Sequence, residues 1–495
     1  MLAQRTDQFN RPAGATWSGV LNGSALILFA DLLMVPVGLL IVAMLTRWLG
    51  PEGYGLFALS ASLVAAVEWG LASILSRPTI HGVGQAVDWQ PVAWTLLRWH
   101  VLLATAVLFV LWIMARPIAE LLGEPTLATY LVLFACDLPF FLLAQAYRNI
   151  LTGRGQFAAR ALTGASRWLA RLVLIALAVE LGLSIPAAIL GSIGASIVEL
   201  AVGRWSLGPV RSGRTADTAA LKQLALPLVA SAVCIAFVGK IDLFLIKMLG
   251  TSVEEAGFYA AAQNLAILPG IFGQAVSAVV LSTLNRTRME GQMAAFRQTG
   301  QQSLQVSLCL LPLVGLIAGS ASGIAVLCFG PVFKAAAPYV SILMLGAVAQ
   351  VFLGMLMAIL IADGHLRWTL GLAAPLVLLA IGGHLWSIPV WGPLGAAWTT
   401  SATMLVGAST GYCAARFLDS VQLRFGSLAR ALLLCALGFG VSMMGPTGSS
   451  VWLLVGLPGI GVVLVAIHAW WEGLLTRERV FDAWQQVGRS AEKVA

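Results

Sequence analysis

From near Asn22 to Trp471 the chain is a succession of apolar runs, each close to the length that crosses a lipid bilayer. A hydrocarbon core about 30 Å thick is spanned by about 20 residues of helix rising about 1.5 Å each. Runs of that kind fall at 22–46, 54–76, 93–115, 127–147, 168–183, 186–205, 224–249, 257–284, 304–329, 339–362, 368–388, 394–415, 428–444 and 451–471. Lipid offers no partner for a backbone N–H or C=O, so runs of this length have to be helices. The prediction is an all-α polytopic membrane protein with about 14 transmembrane helices. Composition removes the soluble alternative. Charged residues make up 10% of the 495 positions and hydrophobic residues 59%, where a soluble domain averages roughly 25% charged.

Charge sets the orientation. Cytoplasmic loops of membrane proteins are enriched in Lys and Arg. With a cytoplasmic N-terminus, only Arg47, Arg116, Lys240, Lys247 and Lys334 of the 29 Lys and Arg fall outside or within the membrane. Both termini are therefore expected on the cytoplasmic side. The net charge of +8 is explained by these loops, and no nucleic-acid partner is expected. Residues 1–21 carry Arg5, Asp7 and Arg11 ahead of any apolar run, which does not fit a signal peptide. They read as a cytoplasmic segment. Six helices follow over 22–206, then a cytoplasmic linker at 207–223 and six more helices over 224–416. Two further helices occupy 428–471, and 472–495 reads as an amphipathic cytoplasmic tail. Cys136, Cys234, Cys309, Cys328, Cys413 and Cys435 lie in apolar runs without zinc or redox spacing. The five histidines show no metal-ligand spacing, and no cofactor is expected.

The chain also resembles itself at an offset of about 200 residues. LTRWLGPEGYGLFALSASL, from Leu45, parallels LIKMLGTSVEEAGFYAAAQNL, from Leu245. AELLGEPTLATYLVLF parallels VLCFGPVFKAAAPYVSILML. SIPAAILGSIGAS, from Ser184, is similar to SIPVWGPLGAAW, from Ser387. Helices one to six and seven to twelve are thus expected to form two pseudo-symmetric bundles. Six is even, so both have the same topology, as in transporters with parallel repeats.

The stretch Arg47-Trp-Leu-Gly-Pro-Glu-Gly-Tyr-Gly-Leu-Phe-Ala-Leu59 resembles the end of the first helix in the polysaccharide transporter family, the O-antigen-type flippases. Glu68-Trp-Gly-Leu-Ala-Ser-Ile-Leu-Ser-Arg77 is similar to that family's second-helix ending, with Glu in place of Asp. Gly257-Phe-Tyr-Ala-Ala-Ala-Gln263 looks like its eighth-helix start. The family belongs to a superfamily that also holds multidrug extruders and the lipid II flippase. The resemblance implies two bundles in a V, opened alternately to either side, in a bacterial inner membrane. It implies movement of an undecaprenyl-diphosphate oligosaccharide to the periplasmic leaflet, supplying a surface polymer such as O-antigen lipopolysaccharide or exopolysaccharide. Expected partners are that lipid-linked oligosaccharide, membrane lipids, H⁺ or Na⁺, and a polysaccharide polymerase or export machinery. A cation-coupled multidrug exporter and a lipid II flippase are the alternatives. A membrane polymerase or ligase fits poorly, because no outside loop is long enough to carry an acid–base pair. The chain lacks a GxxxxGK[ST] loop, so it is read as a transporter that does not itself hydrolyse ATP.

Ionisable groups at membrane depth are costly and mark pathways. Seven such candidates stand out: Asp31, Glu68, Arg77, Asp137, Arg148, Lys240 and Asp242. Asp31 and Asp137 lie deepest, where a short side chain cannot reach water. Arginine offers paired donors to phosphate oxygens, and lysine a compact charge. Carboxylates can neutralise those bases when substrate is absent, or take up a cation. The turn between Arg47 and Glu52 is expected to set the angle between helices one and two. Glu180 and Glu199, near predicted helix ends, are expected to be solvated or packing residues.

Overall fold

The computed structural model of the chain describes residues 30, 33–86, 88–210, 241–418, 421–446 and 448–473. Asp31 and Lys240 lie outside the described residues, as do the linker from 211 onward and the tail from 474 onward. The described chain is helical throughout. Its α-helices are α1 (Met34–Gln85), α2 (Trp89–Leu121), α3 (Leu127–Ala135), α4 (Asp137–Gly153), α5 (Phe157–Glu180), α6 (Ile185–Leu207), α7 (Ile241–Met248), α8 (Val253–Met289), α9 (Met293–Leu308), α10 (Leu310–Gly319), α11 (Ala321–Phe329), α12 (Ala337–Ala362), α13 (Leu366–Leu418), α14 (Phe425–Met444) and α15 (Leu457–Trp471). Ten segments among the described residues are long and apolar enough to cross a membrane.

The predicted runs that fall on described residues map onto this set once the breaks are understood, while 224–240 and most of 22–32 lie outside the described residues. Two runs fuse wherever a glycine turns the chain without a gap. α1 changes direction at Gly50 (φ 67°) and α13 at Gly392 (φ 58°), a region closed to most L-residues. α13 is a hairpin. A Cβ on Gly383 would meet Thr399, one on Gly395 would meet the Ser387 carbonyl, and one on Gly407 would meet Leu376. These pairs nest around Gly392. Other runs divide because of proline. Pro139 has no N–H for the carbonyl of Ala135, and α3 ends at Ala135. Pro312 leaves the carbonyl of Leu308 unpaired in the same way, and α9 ends at Leu308.

The chain forms two compact units. One holds the described residues of Met1–Met44 and Ser60–Lys240, the other those of Leu45–Leu59 and Ile241–Ala495. The Gly-Pro-Glu-Gly-Tyr-Gly turn therefore packs with the second unit, although chain of the first unit flanks it on both sides. Arg47 donates to the Leu327 carbonyl near the end of α11. Asn264 of α8 donates to the Tyr54 hydroxyl at 3.0 Å, and Phe333 packs edge-on against Tyr54 at 6.2 Å.

Here the repeat is directly visible. A Cβ on Gly55 would strike the carbonyl oxygen of Val253, and one on Gly257 would strike the carbonyl oxygen of Pro51. Gly55 and Gly257 are equivalent in the two repeats, and so are Pro51 and Val253. Each half supplies the glycine that admits the other's backbone. The pair of strings at Ser184 and Ser387 does not correspond in the same way. Ser184 precedes the first turn of α6, whereas Ser387 lies inside α13 ahead of its turn and shares a 2.7 Å hydrogen bond with Thr399.

In the second unit α14 lies against α10 through small residues. Gly315 faces the Cys435 backbone, Gly319 the Phe439 carbonyl, and Gly438 the Pro312 carbonyl, which a Cβ on Gly438 would meet at 3.0 Å. Small residues let helices meet backbone to backbone in lipid, where dispersion and polar contacts replace the hydrophobic drive. A polar clamp closes one end of this pack. The Glu472 carboxylate accepts from Gln305 of α9 at 2.9 Å and from Ser427 of α14 at 2.5 Å. Arg430 of α14 pairs with it at 3.5 Å and donates to the Trp471 carbonyl at 3.1 Å.

The reciprocal glycines predict a sharp contrast. Gly257→Leu should destabilise the purified protein by about 1–3 kcal/mol, because the colliding atom is backbone and cannot swing away. Gly354→Ala meets open space within α12 and should be neutral or stabilising by up to ~1 kcal/mol. Unfolding midpoints of the two variants in one detergent check this.

Candidate functional site

Besides the Glu472 clamp, two buried clusters of ionisable or polar groups stand out among the described residues, one in each unit. In the first unit the centre is Arg167, eleventh in α5, whose first residue is Phe157. At about 1.5 Å per residue that is roughly 15 Å along the helix, so the guanidinium is held at depth. It reaches Asp137 of α4 at 3.8 Å and Glu199 of α6 at 3.5 Å. Its Cζ lies 4.3 Å from the centroid of the Phe141 ring, one turn beyond Asp137. Arg148 of α4 donates to the other Glu199 oxygen at 3.2 Å and lies over Gly164, where a Cβ would touch its guanidinium. Glu68, from α1, lies beside Asp137, and Arg171, one turn past Arg167, acts on both carboxyls. Three arginines and three carboxyls thus balance within one unit.

The glutamate at the base of this network is fully buried: Glu199 has 0% exposure, Asp137 2% and Glu68 5%. Charges removed from water are tolerable only when paired and hydrogen-bonded. Pairing is incomplete, since Glu68 Oε1 and Asp137 Oδ1 meet no hydrogen-bond donor among the described residues. Nearby, Ser76 donates to Asn149 Oδ1 at 3.0 Å.

The second unit centres on Asp242 of α7, and its chemistry differs. Asp242 Oδ1 accepts from the Leu243 N–H at 2.8 Å. Its Oδ2 accepts from the Tyr259 hydroxyl at 2.8 Å, from Gln263 Nε2 at 2.7 Å and from the Thr400 hydroxyl at 3.4 Å. Tyr259 and Gln263 are four apart on α8, which puts both on one face. Thr400 comes from α13, as does His384, buried within electrostatic reach of Asp242. Every donor named here is neutral. Among the described residues, no cluster of three or more His, Cys, Asp or Glu could hold a metal ion.

The sequence-derived candidates thus divide. Glu68, Asp137 and Arg148 come together in the first unit, and Asp242 anchors the second. The side chain of Arg77 is outside the described set, as are Asp31 and Lys240. Two expectations need correction. Glu199 is neither solvated nor incidental, because it joins Arg148 to Arg167. The predicted run at 168–183 holds Arg171 and leaves Arg167 just outside, but α5 begins at Phe157 and carries both. The missed signal is their i, i+4 spacing, which puts two arginines on one face of a helix otherwise rich in apolar residues.

The described helices share their fold with solved transporters of the MOP superfamily. The lipid II flippase MurJ in an inward closed conformation has this fold, with a TM-score of 0.75 at 16% identity, over 92% of this chain and 100% of that one. A multidrug-resistance MATE family transporter in its inward-facing conformation gives 0.58 at 15% identity, over 82% and 96% of the two chains. A superfamily transporter from Pyrococcus furiosus gives 0.57 at 14% identity, over 81% and 95%. At these identities the likeness speaks for the fold. No curated protein matches the sequence closely. The profile of polysaccharide biosynthesis proteins matches residues 20–286, more than half of the chain. The chain belongs to that family.

The buried network predicts an asymmetric response to two similar changes. Glu199→Gln should cost about 3 kcal/mol or more, since it removes the buried carboxylate that Arg148 and Arg167 share. Glu180→Gln, on an exposed side chain, should change stability by no more than about 0.5 kcal/mol. Thermal unfolding of both proteins in one detergent measures the difference.

Proposed function

We propose that this protein is a flippase carrying an undecaprenyl-diphosphate oligosaccharide from the cytoplasmic to the periplasmic leaflet of a bacterial inner membrane, by alternating access. The product feeds a cell-surface polysaccharide, and both termini are cytoplasmic. The observation that carries this reading is the balanced cluster around Arg167. Its guanidiniums are matched by carboxyls that a diphosphate can replace. Arg–phosphate pairs are charge-assisted and bidentate, so substrate takes the place of Glu199 and Asp137 as counter-charge. The freed carboxyls then need new partners, and hydroxyls of the glycan or a proton supply them. Binding is thereby coupled to rearrangement of α4, α5 and α6, because Arg167 joins all three.

Asp242 is the place where an ion gradient acts in this reading. Its carboxylate is held by hydroxyl and amide donors with no fixed cation among the partners named above. Uptake of H⁺ or Na⁺ there neutralises the charge and changes which donors Asp242 holds. Asp31, Arg77 and Lys240 belong to the same proposal as further substrate- or ion-binding groups. Delivery of the flipped lipid to a polymerase or export machinery completes the scheme.

A deletion strain tests the function. The expected outcome is accumulation of an undecaprenyl-diphosphate oligosaccharide in the inner leaflet with loss of the surface polymer. Unchanged glycan lipids with new sensitivity to cationic drugs would replace the flippase reading by a multidrug exporter. In the complemented strain, Arg167→Gln, Asp31→Asn and Asp137→Asn should each reduce surface polymer at least tenfold at unchanged protein level, read by immunoblot. Normal polymer in all three would remove the sites from the mechanism.

A further inference from the structure

The second limb of α1 exposes one large hydrophobic side chain. Between Pro51 and Ala86, among the described residues, only Trp69 does so, at 54%. A lipid-facing helix looks different. α2 exposes Val101, Leu102, Phe109, Val110, Trp112, Ile113 and Met114 along one stretch. The face of α1 that carries Trp69 also carries Ser62 and Ser76, each seven residues away and hence on the same side of the helix. Ser76 donates to Asn149, and a face carrying hydroxyls at that spacing suits polar surroundings rather than acyl chains. Interfacial tryptophans anchor at helix ends, but Trp69 lies sixteen residues before Gln85, the last residue of α1, about 24 Å inside that end.

The indole is also built into the charged cluster. Its ring packs edge-on against Phe141, with centroids 6.0 Å apart and planes at 62°. The other neighbour of Phe141 is the Arg167 guanidinium, 4.3 Å from its centroid. The residue before Trp69 is Glu68, whose Oε1 has no donor among the described residues. An exposed aromatic plate, a guanidinium on its buried ring partner Phe141 and a buried carboxyl oxygen without a donor on the preceding residue form a definite chemical pattern. A pyranose ring has an apolar C–H face and a rim of hydroxyls. The face is attracted to the electron-rich plane of an indole. The hydroxyls need acceptors once they leave water, and a phosphate on the anomeric carbon needs a cation.

We propose that Trp69 is the stacking platform for the sugar ring attached to the diphosphate of the transported lipid. Arg167 binds the phosphate, and Glu68 accepts from a ring hydroxyl. This inference rests on the flippase reading above and adds a saccharide subsite to it. Trp69 thereby distinguishes a glycosylated carrier from the bare lipid diphosphate, which the arginines alone cannot do.

The test uses the full-length protein in nanodiscs and two probes, undecaprenyl diphosphate with and without one N-acetylglucosamine. The wild type should bind the sugar-bearing lipid roughly tenfold more tightly than the bare one. Trp69→Ala should abolish that ratio and leave the affinity for the bare lipid unchanged. Trp69→Phe should keep most of the ratio, since a smaller aromatic plate remains. Arg167→Gln should weaken both probes alike. A ratio that survives in Trp69→Ala overturns the platform, and so does an equal loss of both affinities, the mark of a structural role. A wild type without sugar preference overturns it as well. A wild type that binds neither lipid would instead bring down the flippase reading itself, and the platform with it.

Discussion

The charged cluster around Arg167 depends on the absence of water at membrane depth. An exposed guanidinium has solvent as partner, whereas Arg167 has only what α4, α5 and α6 bring to it. The nearest carboxyl oxygens are 3.5 and 3.8 Å away, longer than the best charge-assisted hydrogen bonds at about 2.8 Å. The cluster is neutral in sum yet loosely joined. A tight and fully satisfied set of pairs would resist a competing anion, because the carboxyls would give up more than the ligand returns. Slack in these pairs and orphaned oxygens on Glu68 and Asp137 leave the cluster short of full pairing.

Much of this was legible in the chain, for identifiable reasons. Hydrophobic runs report helices directly, because lipid imposes length and apolarity together. Those at 339–362 and 428–444 return as α12 and α14 with little change. Run boundaries were less reliable wherever a charged face continued into the membrane. Arg160, Arg167 and Arg171 look like a basic loop when read linearly, but α5 carries all three. Proline and glycine acted as punctuation only in context. Pro139 and Pro312 divide helices inside single runs, whereas Gly392 joins two runs into one hairpin. Glu199 was undervalued because distance from a helix end is a poor guide to burial when neighbouring helices are unknown. Its partners Arg148 and Arg167 are 51 and 32 positions away, and hydropathy carries no information about such pairs.

The two units use different means to hold an anion. Glu199 is held by guanidiniums, Asp242 by a tyrosine, a glutamine, a threonine and one peptide N–H. A charge solvated by dipoles leaves net negative potential, while a charge matched by arginines does not. The two units thus present two electrostatic environments, one set by guanidiniums and the other by neutral dipoles. The Glu472 clamp adds a third use of a buried carboxylate. It gathers donors from α9 and α14 at the end of α15, so these C-terminal helices are fastened to the second unit by polar contacts as well as by glycine-lined packing.

The mutual fit of Gly55 and Gly257 carries a consequence for how such a chain can change over generations. Two copies of one ancestral bundle are free to drift apart wherever each packs only upon itself, and their sequences here have largely done so. At this point neither copy can acquire a side chain without displacing a peptide group of the other. Divergence of the halves is halted there by geometry. A lineage that altered one turn would need a matching change in its twin, some two hundred codons away.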